Sequence, residues 1–372
     1  MMITNILRYA LFSIAITGLI AACSDDTSIE PGPNPPNSGG NSGGGPSPSD
    51  WLIPSDLVVD GGPGKDGIPS IDDPQFSPVN QIDYLEPDDL VLGFKVGNEI
   101  RAYPHPVLDW HEIVNDDVNG TAIAITYCPL TGTGIGWNRF VGGSVTTFGV
   151  SGLLYNNNLL PYDRATDSNW SQMLLKSVNG NRIGTEIEVF PLVETTWATW
   201  QELYPDSRVL NLSTGFSRSY GVYPYGDYKT NNDFLLFPLT NDDTRLERKE
   251  RGLGIIVDEE VRFYRFNDFS SAPVVVRADQ FGGRDLVIAG SRDKNFLFAY
   301  QSRLPDGTLL QFNAVTDGGA VVMEDQEGSR WNVFGEAVSG PRQGKKLPAL
   351  NSYIGYWFSW GAFFPGVEIY GR

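Results

Sequence analysis

"LEPDDLVLGFKVGNEIRAYP", residues 85–104, and "LERKERGLGIIVDEEVRFYR", residues 246–265, decide how the chain is read. Leu-Glu, a later Leu-Gly and an Arg-x-Tyr pair fall at one offset in both. Further on, Trp170 answers Trp331 at the same offset. "WATWQELYP" and "WFSWGAFFP" then place Trp197 and Trp200 opposite Trp357 and Trp360, with Pro205 opposite Pro365, one residue closer. Dispersed landmarks in one order at nearly constant spacing predict an internal duplication. The expected units are 85–210 and 246–372, packed into one globular body. A connector, 211–245, joins them, and a lead-in, 51–84, precedes them.

Within each unit the pattern is mainly β with a few short helices, an α+β body. "LVLGFKVGNEIRAYP" reads as two strands about the Gly97-Asn98 turn, and "LGIIVDEEVRFYRF" as two about Asp258-Glu259. "TAIAITYC" and "RDLVIAGS" are short β-branched runs suited to buried strands. "SVTTFGVSGLL" and "GTLLQFNAV" are expected to be strands too. "TTWATWQELYP" is expected to be a helix capped by Thr195 or Thr196 and stopped by Pro205. The repeated tryptophans are expected in the core. The connector's aromatics and glycines predict an ordered excursion over the surface.

The N-terminus predicts an address. Arg8 is the only charge in residues 1–22, a short apolar run follows it, and Ile-Ala-Ala-Cys ends at Cys23. That is the pattern of a cleaved secretory signal with a bacterial lipobox, in which Cys23 becomes the lipidated first residue. Residues 23–50 are rich in Pro, Gly and Ser and predict a flexible tether. The expected location is the bacterial cell envelope, with a lipid anchor in the outer membrane facing the periplasm or the surface. No other apolar run is long enough to span a bilayer. The formal charge of −18 argues against nucleic acid as a partner.

The chain holds two histidines besides its two cysteines, and "HEIVNDDVNGTAIAITYCPLTGTG" carries His111 and Cys128. "HPVLDWHEIVND" is expected to form a helix, entered at Pro106 and ended by Asn115-Asp116-Asp117. Val107, His111 and Val114 would share its inner face. Alternation puts Ala122, Ala124, Thr126 and Cys128 on one side of the next strand, and Ile123, Ile125 and Tyr127 on the other. The loop through Thr131, Gly132 and Thr133 has the composition of an amide nest. A thiol at a strand end, an imidazole and free amides are the parts of a thiol-dependent catalytic site, so Cys128 and His111 are the candidate catalytic residues. In the second unit, Val274 falls opposite His111 and Ala289–Ser291 opposite Cys128.

Two other readings are open. Tyr155, Asn156, Asn157, Asp163, Arg164 and Trp170 form a dense polar and aromatic series suited to a small polar or carbohydrate ligand, bound without catalysis. His111, Cys128, His105 and Met173 are ligand types of a copper site, although no further ligand follows Cys128 closely. No cluster fits structural zinc.

"AYPHPVLDWHEIVND", "AITYCPLTGTG", "FGVSGLLYNNNLLPYDRATDSNWSQ" and "YWFSWGAFFPGVEIY" resemble a bacterial family, domain of unknown function 3179, over most of 85–370. The resemblance implies an exported protein with His111 and Cys128 in its site. Several members have a second cysteine where this chain has Thr131, so no Cys-x-x-Cys redox pair is implied here. The resemblance supplies no activity.

Overall fold

A Leu-Gly step recurs because an indole lies flat on each glycine. In the computed structural model, which describes residues 50–270, 272–317 and 319–372, a Cβ on Gly93 would fall 2.1 Å from the Trp200 ring. One on Gly254 would fall 2.2 Å from the Trp360 ring. Each glycine sits in the first strand of a hairpin, Leu90–Val96 with Glu99–Pro104 and Arg251–Val257 with Glu260–Arg265. Each tryptophan sits in a seven-residue helix, Trp197–Leu203 (α2) or Trp357–Phe363 (α3). The leader expected over 1–22 and the lipidated tether expected over 23–50, with Cys23, lie outside the described residues except for Asp50.

The described chain is mostly β, arranged in several open sheets with three α-helices. Two sheets share one strand order. In one, Val193–Thr196, Leu90–Val96, Glu99–Pro104 and Arg208–Leu210 run side by side, with Phe76–Pro78 at the edge. In the other, Asn351–Tyr356, Arg251–Val257, Glu260–Arg265 and Glu368–Ile369 do so. In both, the strand after the helix returns parallel to the hairpin's second strand.

The recurring Arg-x-Tyr pair has the same task in each hairpin. Arg101 and Tyr103 both donate to Asp116, at 2.6 Å each. Arg262 and Tyr264 both donate to Asp279, at 2.8 and 2.6 Å. The indole N–H of Trp170 donates to Asp163 at 3.0 Å and that of Trp331 to Asp325 at 2.9 Å. Charge-assisted bonds of this kind fix the strands that supply them.

Two expected elements are shorter than the sequence suggested. The first helix, His105–His111 (α1), does not continue to Val114. Glu112 adopts a left-handed backbone, φ 57°, after its N–H closes the helix on the Leu108 carbonyl. Its own carbonyl then accepts from Tyr127 N–H at 2.7 Å, and Ile113–Val118 continues as a strand paired with Thr121–Cys128. The β-branched Ile113 and Val114 gain more from the sheet than from a further helical turn. Of "GTLLQFNAV", only Phe312–Ala314 is strand. The Trp197–Leu203 helix is capped as expected, with Thr196 accepting from Thr199 N–H.

Alternation along Thr121–Cys128 separates two cores. Ala124 and Cys128 face a cluster with Ile135, Trp137, Trp170, Met173, Tyr353, Trp357 and Trp360. Ile123, Ile125 and Tyr127 face Leu92, Phe94, Tyr103, Val107 and Leu108. All four repeated tryptophans are buried.

Residues 211–245 contain turns and bends but no helix or strand. They are nonetheless held closely. The Asn157 side chain bonds both backbone groups of Phe237, at 2.7 and 2.9 Å. The Asn156 side chain accepts from Thr240 N–H at 2.8 Å. Lys229 pairs with Asp109 at 3.0 Å, and Trp110 donates to the Val222 carbonyl at 3.1 Å. Tyr223, Tyr225, Tyr228, Phe234 and Phe237 pack onto the Cys128 core.

Candidate functional site

Cys128 ends its strand, and the chain turns back at once. Gly132 N–H bonds the Cys128 carbonyl at 2.9 Å, and Gly132 takes φ +62°. The turn lies against Tyr356, whose ring a Cβ on Gly132 would approach to 3.2 Å. The thiol is buried and donates to the Asn157 carbonyl at 3.5 Å. Burial pushes the thiol up to about 11; the Glu112 carboxylate adds to this, while hydrogen bonds from Thr131 and the Leu159 backbone oppose it. Here the sulfur is a neutral thiol.

His111 is not its partner. The ring Nδ1 lies 2.7 Å from the Pro69 carbonyl and Nε2 lies 2.7 Å from the Tyr220 hydroxyl. A carbonyl only accepts, so Nδ1 carries the proton and Nε2 accepts from Tyr220. Both nitrogens are committed, and burial lowers the imidazole's affinity for a second proton. His111 therefore ties the lead-in to the connector. The expected Cys128–His111 couple does not form: Val107 and Val114, which share the expected face with His111, belong to the core on the Tyr127 side of the strand, while Cys128 faces the other core.

The glycine loop is not an open nest. Thr131 and Thr133 join hydroxyls at 2.8 Å. Asn158 donates to Thr131 at 2.9 Å and to Gln172 at 2.7 Å, and Gln172 donates to Thr126 at 3.0 Å. The network is buried throughout and holds the Cys128 turn in place.

The other expected ligand residues also bond to the protein itself. Asn156 and Asn157 form the left-handed turn of a hairpin and pin the connector as described. Asp163 accepts from Trp170 and from Thr166 N–H at 2.8 Å. Arg164 reaches Ser70 at 2.9 Å and Asp72 at 3.0 Å in the lead-in. Tyr155 packs edge-on against Phe363.

The copper set does not assemble. His105 pairs with Glu194 at 3.2 Å, His111 is committed to Pro69 and Tyr220, and Met173 is core. Among the described residues no three His, Cys, Asp or Glu side chains gather as metal ligands.

What surrounds Cys128 is a set of ionisable groups that sequence reasoning missed. Lys249 comes from "LERKE", opposite Asp88 of the first hairpin stretch, and is 8% exposed. Its Nζ has no hydrogen-bond partner among the described residues. It lies 3.1 Å over the centre of the Tyr228 ring, 4.9 Å from Phe358 and 5.4 Å from Tyr356. A desolvated ring face offers an ammonium about 2 kcal/mol. Burying an unpaired ammonium costs several kcal/mol. Burial wins and pushes the amine down to about 7; Arg248 adds to this, and Cys128 opposes it.

Glu112, the residue that closes α1, is buried and pushed up to about 8, first by burial and then by Asp109. Burial also raises Asp109, against the pull of Lys229 and His105. Burial raises the phenols of Tyr223, Tyr225, Tyr228 and Tyr356, and a charge on Cys128 would raise each further. The result is a packed cluster of desolvated ionisable groups about one thiol, covered by connector aromatics. The one available signal was asymmetry: a lysine where the first hairpin stretch has an aspartate.

Beside it, Glu194 joins His105 to Arg251. Burial disfavours the Glu194 carboxylate, but Arg251 and then His105 outweigh it and hold the group below its usual range.

Comparison with curated proteins and with solved structures finds no match. A family model does match, over residues 65–367, which take in the later part of the lead-in, both hairpins, the connector and Cys128. The chain belongs to the family described as protein of unknown function (DUF3179).

Proposed function

We propose that this chain is a lipid-anchored protein of the bacterial cell envelope, held in the outer membrane through Cys23, with a thiol-dependent site for a small molecule at Cys128. Lys249 replaces His111 as the group that serves the thiol. Its amine takes the thiol proton when the connector opens, giving an ammonium–thiolate pair. In the closed state, a thiol near 11 beside an amine near 7 leaves the proton on sulfur. The reading is carried by one observation: a buried amine with no hydrogen-bond partner lies over Tyr228 and Tyr356, the same rings that sense a charge on Cys128. Buried polar groups are normally satisfied, so one that is not calls for an explanation.

The chain is also read as a duplication, with units 85–210 and 246–372. Supporting it are the shared strand order, the paired Arg–Tyr–Asp contacts and the two indoles seated on glycine. On this reading the first unit supplies Cys128 and Glu112, the second supplies Lys249, and the connector supplies Tyr228.

Alkylation of the full-length chain in detergent, followed at the Cys128 peptide by mass spectrometry, tests the site. Iodoacetamide is expected to label Cys128 from the native state faster than the protein unfolds, and Lys249→Met is expected to slow that labelling at pH 8. Labelling only at the global unfolding rate would mark Cys128 as a core residue.

A further inference from the structure

We propose that Lys249 is a covalent residue of this cluster and that its substrates are small carbonyl compounds, held as imines on the Lys249 amine. The inference rests on the reading that the Cys128 cluster opens to small molecules.

Three observations carry it. The first is the contrast with other lysines. Lys65, Lys95, Lys229, Lys294 and Lys346 each have a carboxylate within ion-pair distance, and Lys176 and Lys345, which have none there, are not buried. Lys249 has none among the described residues, and its amine has no hydrogen bond either. The second is the lining. Tyr228, Tyr356 and Phe358 present ring faces to the amine, a surface that favours a planar, weakly polar electrophile over an anion or a sugar. The third is a proton-handling group in place. The Tyr228 hydroxyl is buried and has no hydrogen-bond partner among the described residues, and it senses the charge on Cys128. A low-dielectric, aromatic setting also keeps the amine in its nucleophilic neutral form near neutrality.

The chemistry balances without a redox partner. The nitrogen lone pair attacks the carbonyl carbon, forming the C–N bond, and the carbonyl π electrons move to oxygen. One proton passes from nitrogen to that oxygen, by way of the Tyr228 hydroxyl, giving a carbinolamine. The C–O bond then breaks, the second nitrogen proton leaves with the hydroxyl as water, and the C=N bond forms.

The test uses the full-length chain, benzaldehyde or propanal as probe, and cyanoborohydride to trap imines between pH 6 and 9, with peptide mapping. At pH 7 the Lys249 adduct is expected to exceed those on Lys65 and Lys294, each ion-paired to a carboxylate, by at least about tenfold. Lys249→Arg should abolish the adduct with circular dichroism unchanged, and Cys128→Ser should retain it. Modification of Lys249 no faster than Lys65 in the folded chain overturns the proposal. If Cys128 alkylates in the native state while Lys249 forms no adduct, the carbonyl inference fails and the thiol site stands. If neither reacts before denaturation, both fail.

Discussion

Two strand ends in this molecule are built alike and finished differently. Thr121–Cys128 and Arg284–Ser291 are both eight-residue central strands, each antiparallel to the strands before and after it. At the second end, the Ser291 hydroxyl accepts from Lys294 N–H at 3.1 Å, and Arg292 N–H bonds the Phe269 carbonyl at 3.1 Å. A short 3-10 turn, Phe266–Phe269, stands where the first half has α1. That end is tied by local backbone, and of its turn's side chains the Asn295 amide nitrogen is buried without a hydrogen-bond partner among the described residues. The first end carries a thiol, a raised carboxyl at Glu112 and an unpartnered amine at Lys249, and it is closed by a segment without secondary structure. Sheet packing and local backbone bonds account for most of the second end, which among the described residues holds no unpartnered ionisable group of the kind seen at Lys249. They leave the first with polar groups whose burial is a cost, which is where function is expected to lie.

The scaffold half of this comparison is open to the hardest test. Trp200 and Trp360 are fully buried, each seated on a strand glycine. Trp200→Ala and Trp360→Ala should each cost about 3–5 kcal/mol in chemical denaturation, through lost contacts and an unfilled cavity. Similar losses would show that the two helix–hairpin pairs carry comparable load. A difference above about 2 kcal/mol would show that one half leans on the other.

A pH series probes the unsatisfied end with a smaller effect. Glu112 is raised to about 8 from an unfolded value near 4.5, so the folded chain holds its proton longer. Stability from this group is complete below pH 4.5 and is lost as pH rises through 8. Lys249 has the opposite sign. Its folded value near 7 lies below an unfolded value near 10.5, so the burial cost is full below pH 7 and is relieved as pH rises toward 10.5. Each group can contribute a slope of at most about 1.4 kcal/mol per pH unit. Glu112→Gln should remove the decline between pH 4.5 and 8, and Lys249→Met the recovery between 7 and 10.5. Unchanged slopes would mean that these groups are solvated in the native state.

Much of the scaffold was legible because period and spacing are local signals. The Gly97-Asn98 and Asp258-Glu259 bends, the Thr196 cap and the alternation from Ala122 to Cys128 follow from steric preferences of neighbouring residues. Of the proposed site, only Cys128 was legible in the sequence. His111 misled because its helix packs on the Tyr127 side of the strand while Cys128 faces the other core, and nothing local announces that Glu112 turns left-handed. That turn is held by Tyr127 N–H, fifteen residues away. Lys249 was invisible for a similar reason. Between Arg248 and Glu250 it looks like part of a solvated charge run, and only the return of Tyr228 and Tyr356 over it makes it a buried amine. Likewise, Asn156 and Asn157 looked free to bind a ligand because their partners, Thr240 and Phe237, lie about eighty residues on.

The gentlest test exchanges the two strand ends. Cys128→Ser keeps size and adds a stronger hydrogen-bonding group next to the Asn157 carbonyl, which already accepts from the thiol. The stability loss should be about 1 kcal/mol, since the hydroxyl has a partner in place. Ser291→Cys should cost no more, because the site is fully buried and asks of Ser291 only that it accept from Lys294 N–H. Reactivity should not follow the sulfur. In the Cys128→Ser, Ser291→Cys double variant the transplanted thiol has no Lys249, no Glu112 and no movable roof beside it. Its alkylation should therefore proceed only at the unfolding rate. If the transplanted thiol reacts from the native state as fast as Cys128 does in the parent chain, strand-end geometry alone sets reactivity. The amine, the carboxyl and the connector would then be packing, and the difference between the two ends would carry no function.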